Sequence, residues 1–185
     1  MFGFGRRTDP HALVVGMTAV KMGDRLVQIG CADGGRLAAV AAKVGLSGRA
    51  VAVVPDAASA ARAEKGAARA GVLVEVEVAP PRHIPLDTGA FDLAVVDNTT
   101  GLLASMAVED RAATIQEWLR VLRPGGRVVA LGAGRRRGIG ALFASGPPPS
   151  ALDPVPALQA EGFKSVRLLA EREGLTFVEA VKPRT

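Results

Sequence analysis

Arg25–Ile29, RLVQI, runs directly into Gly30-Cys31-Ala32-Asp33-Gly34-Gly35 and then into residues 36–44, RLAAVAAKV. A short apolar run, a glycine-rich turn and an amphipathic stretch stopped by Gly45 predict a strand, a tight turn and a helix. The same unit recurs outward from it. Residues 50–54 predict a second strand and Ala57–Ala70 a second helix ended by Gly71, with a third strand at 72–78. A fourth strand follows at 91–96. Residues 109–122 form a helix on the spacing of Ala112, Ile115, Leu119 and Leu122, and a fifth strand covers 127–131 after Arg123-Pro124-Gly125-Gly126. Uniformly apolar strands separated by helices predict a parallel sheet covered on both faces. The tail breaks this rhythm. Residues 154–161 read as helical, while 166–171 and 175–182, joined by Arg172-Glu173-Gly174, must pair as an antiparallel hairpin. Residues 132–149, rich in glycine and proline, read as one long mobile loop. Residues 1–22 are a tail plus a helix over 11–22 that covers one end of the sheet, and residues 23–185 form the main domain.

Composition narrows the function. The chain has 185 residues, 49% hydrophobic and 22% charged, which is one globular domain and too apolar for disorder. Six Phe, one Trp and no Tyr are too few for a stacking platform on single-stranded nucleic acid, and no zinc-finger or RNP-type motif is present. The single cysteine, Cys31, excludes an internal disulfide and a multi-cysteine zinc site; with only His11 and His83, no metal centre is expected. No apolar run approaches the ~18 residues of a membrane span. Arg6 and Arg7 follow the apolar residues Phe2 and Phe4, the wrong order for a secretory signal. A soluble cytoplasmic protein is expected. The net charge of +5 permits an anionic lipid, nucleic-acid or acidic partner without choosing among them.

Three segments carry a family resemblance: residues 23–34 (GDRLVQIGCADG), 91–97 (FDLAVVD) and 119–128 (LRVLRPGGRV). In this order and spacing, and followed by a terminal hairpin, they resemble the class I S-adenosylmethionine-dependent methyltransferases over about residues 23–182. The resemblance implies a Rossmann-like seven-stranded α/β sheet in the order 3-2-1-4-5-7-6, strand seven antiparallel, with helices on both faces. It implies S-adenosylmethionine as cofactor, with Gly30, Cys31, Asp33 and Gly34 lining its amino-acid end. General physics supports a ligand there, because glycines admit close backbone approach and a helix N-terminus favours negative charge.

The cofactor positions carry unusual residues. Where the family has an acid at the end of strand one, this chain has Gln28, an amide without charge. The ribose-binding acid at the end of strand two aligns with Val54. Asp56, two residues later, reads first as the N-cap of the next helix and second as a ribose ligand. The adenine positions align with Pro80 and Pro81, which lack a carboxylate and an N–H respectively. Arg82 and His83 stand beside them, as replacement contacts or as an exposed loop.

Asp97, at the end of strand four, is placed by the resemblance both against the cofactor and as the catalytic candidate that orients or deprotonates the methyl acceptor. An equal alternative makes it the N-cap of a short helix over 101–106. Asn98-Thr99-Thr100 replaces the proline and aromatic pattern of amino-methylating branches, which points away from a nucleobase or glutamine acceptor. Arg135-Arg136-Arg137, followed by an apolar tip, suits docking to an anionic membrane surface. Two functions follow. The first is a divergent methyltransferase acting on a small-molecule or lipid-like acceptor. The second is a non-catalytic methyltransferase-like module that works through a protein or membrane partner. A homodimer is compatible with either.

Overall fold

The structure is a computed structural model and describes residues 10–134 and 153–184. In chain order the elements are α1 (Ala12–Thr18), β1 (Arg25–Ile29), α2 (Gly34–Val44), β2 (Arg49–Val54), α3 (Ala57–Ala70), β3 (Glu75–Val78), β4 (Phe91–Asn98), α4 (Val108–Val121), β5 (Leu122–Ala133), α5 (Pro154–Ala160), β6 (Lys164–Arg172) and β7 (Leu175–Val181). The seven strands form one sheet in the order β3-β2-β1-β4-β5-β7-β6. β1 pairs in parallel with β2 and β4, β2 with β3, and β4 with β5; β7 lies antiparallel between β5 and β6. This is the predicted sheet.

Side chains of the central strands alternate between two cores, as a strand's period of two requires. Phe91, Ala94 and Val96 join Ile115, Trp118, Leu158 and Phe163 on the α4–α5 face. Leu26, Leu93, Val95 and Phe177 join Val14, Val40 and Val44 on the α1–α2 face. With aromatics scarce, Trp118, Phe91, Phe163 and Phe177 are all fully buried.

Several boundaries move for identifiable reasons. α1 ends at Thr18, where Ala19 takes a left-handed conformation, and so is shorter than the predicted 11–22. β3 pairs only from Glu75, opposite Val51. β5 begins at Leu122, because Leu122 pairs with Phe91 and a register shift carries the ladder past Pro124-Gly125-Gly126 to Arg127 opposite Leu93. Residues 101–106 form turns, not a helix. The basic loop Arg135-Arg136-Arg137, with most of the predicted 132–149 loop, lies outside the described residues. Among the described residues no helix is long and apolar enough to cross a membrane.

Strand order reverses between β1 and β4, since β2 and β3 lie on one side and β5, β7 and β6 on the other. In an open parallel sheet the ligand crevice lies beyond the carboxyl ends of the strands flanking this switch.

Candidate functional site

The crevice begins at Gly30. Its φ is +77°, and a Cβ there would stand 3.1 Å from the Asp97 backbone oxygen, so conformation and space both demand glycine. The buried Gln28 side chain braces this turn, its Nε2 donating to the Gly30 carbonyl at 3.1 Å. Cys31 is buried, and burial together with nearby Asp97 pushes its thiol up to about 11. A neutral thiol is a packing group, not a nucleophile. Asp33 caps α2: Oδ1 accepts from the amides of Gly35 (2.8 Å) and Arg36 (3.3 Å).

Asp97 links the turn to β4. The Ala32 N–H donates to Oδ2 at 3.0 Å, and Arg36 Nη2 lies 3.4 Å from the same oxygen. Oδ1 accepts from the Thr99 hydroxyl at 2.6 Å and the Thr99 amide at 3.3 Å. A carboxylate offers about four acceptor positions, so this one is fully engaged. Asn98 braces the turns that follow, its Oδ1 accepting from the Leu103 amide at 2.8 Å.

Gly34 belongs to the packing of two helices. A Cβ there would lie 2.1 Å from the Arg62 carbonyl oxygen, and one on Gly66 would lie 2.2 Å from the Gly34 oxygen. The contact lets α3 press against the glycine turn, where Arg62 Nε donates to the Cys31 carbonyl (3.1 Å) and Nη2 to Ser59 Oγ (2.7 Å).

The opposite end of the crevice is plainer. Val54 is fully buried with Leu37, Ala60 and Ala63. Asp56 caps α3 by accepting from the Ser59 amide at 2.7 Å, a bond that holds its carboxyl below the usual aspartate range. The Pro80 carbonyl accepts from the His83 amide at 2.9 Å, and Arg82 reaches Asp110 of α4 at 2.7 Å. α4 fixes the following segment from beneath: Glu117 accepts from the Ile84 amide, while Arg120 donates to the carbonyls of Ile84 and Leu86.

The structure thus gathers Gln28, Gly30, Cys31, Asp33 and Asp97 around one turn. Val54, Asp56, Pro80 and Arg82 follow one another along the β2–β3 side, each engaged elsewhere. Sequence reasoning missed Arg36, Arg62 and Gly66, and read Thr99 only as part of Asn98-Thr99-Thr100 and not as a partner of Asp97. Only Gly66 carried a usable signal, a lone glycine inside a helical pattern.

S-adenosylmethionine presents a carboxylate, an ammonium and a sulfonium at one end and adenosine at the other. The amino-acid end fits what is present: carboxylates at Asp33 and Asp97, and an Arg36 guanidinium whose Nε is buried with no hydrogen-bond partner among the described residues. Val54, Pro80 and Pro81 bring no carboxylate to the adenosine end. Among the described residues, no group of three or more His, Cys, Asp or Glu is placed to hold a metal ion.

The sequence model of the family described as Methyltransferase domain matches residues 27–130, more than half of the chain. The chain belongs to the class I S-adenosylmethionine-dependent methyltransferases. No curated protein matches it. Among solved structures, a SAM-dependent methyltransferase from Aquifex aeolicus is similar at TM-score 0.75 and 19% identity, covering 94% of this chain and 89% of that one. The [4+2]-cyclase SpnF gives TM-score 0.69 at 19% identity, covering 95% and 80%. A SAM-dependent O-methyltransferase from Thermotoga maritima gives 0.64 at 16% identity, covering 94% and 64%. At these identities the likeness establishes the methyltransferase fold. The cyclase is a reminder that one fold hosts more than one chemistry.

Proposed function

We propose that this methyltransferase moves the methyl group of S-adenosylmethionine to a small-molecule or lipid-like acceptor held beyond the end of β4. Bound S-adenosylmethionine supplies a methyl group on a sulfonium, already activated for in-line displacement. The protein's task is then to position the partners and exclude water. The observation that carries this reading is the buried Asp97, held by four contacts from three residues at the switch point between β1 and β4. With its lone pairs engaged, Asp97 suits orientation of the pocket better than removal of a proton. Asn98, Thr99 and Thr100 border the acceptor side with short polar groups, without the proline and aromatic pattern expected for a planar amide or nucleobase. That supports a small or lipid-like acceptor.

The test is calorimetric titration of the full chain with S-adenosylmethionine and S-adenosylhomocysteine, followed by transfer of a labelled methyl group to phenols, thiols, amines and a quinone-containing lipid extract. Binding in the micromolar range with label in one of these classes is expected. No heat at millimolar ligand overturns the reading.

A further inference from the structure

The loops that lead into β1, β2 and β3 lie at one end of the sheet, because these strands are parallel neighbours. It is the end opposite the crevice. Each loop carries one large apolar side chain that stands almost wholly in water: Met22 at 81% exposure, Leu46 at 91% and Leu73 at 80%. Among the described residues these are the three most exposed large hydrophobic side chains. Single apolar residues scattered over a surface are ordinary, but three on adjacent loops need an explanation. The loops adjoin one another. Met22 Cγ lies 3.7 Å from where a Cβ on Gly45 would stand, one residue before Leu46. An open groove of about 510 Å³, lined by Val44, Val72 and Val74, joins Leu46 to Leu73.

An exposed cation precedes each tip: Lys21 before Met22, Lys43 in the last turn of α2 before Leu46, and Arg69 in the last turn of α3 before Leu73. These three cations form no ion pair among the described residues. The acids of this end are committed elsewhere. Asp24 Oδ2 accepts from the Lys21 amide at 2.8 Å, Glu75 pairs with Arg49 at 2.6 Å, and Glu77 and Asp87 act on the same Arg49. A helix C-terminus favours a cation, which accounts for Lys43 and Arg69 but not for the leucines beyond them. Apolar tips interleaved with free cations match an anionic bilayer surface, where the acyl boundary takes the tips and the headgroups take the charge. A protein partner would have to offer a pocket to each tip, and a bilayer needs none. We propose that these three loops dock the chain on an anionic lipid bilayer, with Met22, Leu46 and Leu73 inserted below the headgroups. Docked in this way the chain turns its crevice towards water, and a small-molecule acceptor reaches it from the aqueous side. The docking does not depend on what the crevice binds.

The test is flotation of the full chain with phosphatidylcholine vesicles, with and without phosphatidylglycerol, at low and high salt. Binding to the phosphatidylglycerol vesicles is expected, weakening as salt rises. Leu46→Ser and Leu73→Ser should each lower the partition coefficient roughly tenfold, the contribution of one inserted leucine side chain. Lys43→Gln should lower it about fivefold. All three variants should keep the wild-type melting temperature, because the replaced side chains already stand in water. A wild-type chain that ignores phosphatidylglycerol vesicles overturns the proposal, including one whose tips serve only self-association, seen as a dimer that Leu46→Ser disperses. Binding that survives replacement of all three tips by serine overturns it as well, whether or not replacing Arg135, Arg136 and Arg137 abolishes that binding.

Discussion

Asp56 shows how one side chain decides between structure and ligand. An acid near the end of β2 could serve ribose, but its carboxylate is turned onto the Ser59 amide at the start of α3. Asp56→Asn preserves that acceptor and should keep the wild-type melting temperature, whereas Asp56→Ala should lower it. Both should bind S-adenosylmethionine within about twofold of wild type, because the cap touches the helix and not the crevice. A large affinity loss in both variants, read by calorimetry, would return Asp56 to the ribose. At this scale the glycine turn was legible in the sequence, since Gly30 follows from local rules, whereas Asp33 was read only as a cofactor contact and the structure shows it capping α2. Arg36 was not, because its meaning depends on Asp97 and Thr99, more than sixty residues away in the chain.

Between elements, the contact of α2 with α3 rests on two facing glycines. Gly34→Ala places a methyl group 2.1 Å from the Arg62 carbonyl, where the obstacle is backbone and cannot rotate away. The helices must separate, at a cost of about 3 kcal/mol, the upper end of overpacking. Urea unfolding should show that loss, and Cys31 should become more reactive to alkylation as α3 lifts from the turn. The elements best foreseen were those with both ends punctuated. α3 runs from its Asp56 cap to Gly71, and β1 ends at Gly30. Less visible were ends set by pairing. The early start of β5 depends on Phe91 meeting Leu122, and β3 waits for Val51 before it forms a ladder. Hydrophobic pattern records burial but not which backbone groups find partners.

Across the whole molecule, acid stability should turn on Glu179. Burial alone would raise this carboxyl, but hydrogen bonds from Arg167 and Arg127 outweigh it and hold the group below the usual glutamate range. Such a depressed folded value contributes stability above the unfolded value of ~4.3, and that contribution is lost as pH falls through the folded one. Asp92, Glu75 and Glu117 are shifted the same way. Chemical denaturation should therefore show stability falling below about pH 4, and Glu179→Gln should flatten part of that fall. The same variant should lose about 2 kcal/mol at neutral pH, because both guanidinium groups lose a charged acceptor.

Arg127 does more than meet Glu179: it donates to the carbonyls of Thr18 and Ala19, the trailing end of α1. Seven residues make too brief a helix to persist unaided in water. The opening helix is therefore held in place by a cation from the fifth strand, which is itself steadied by an anion from the seventh. α1 also packs on α2 through Val14, Val40 and Val44, so the ion pair adds a second anchor, which is complete only when the last strand is in place. A chain ending before Glu179 would keep the contact of Val14 with α2 but lose the anion that steadies Arg127 at the end of α1.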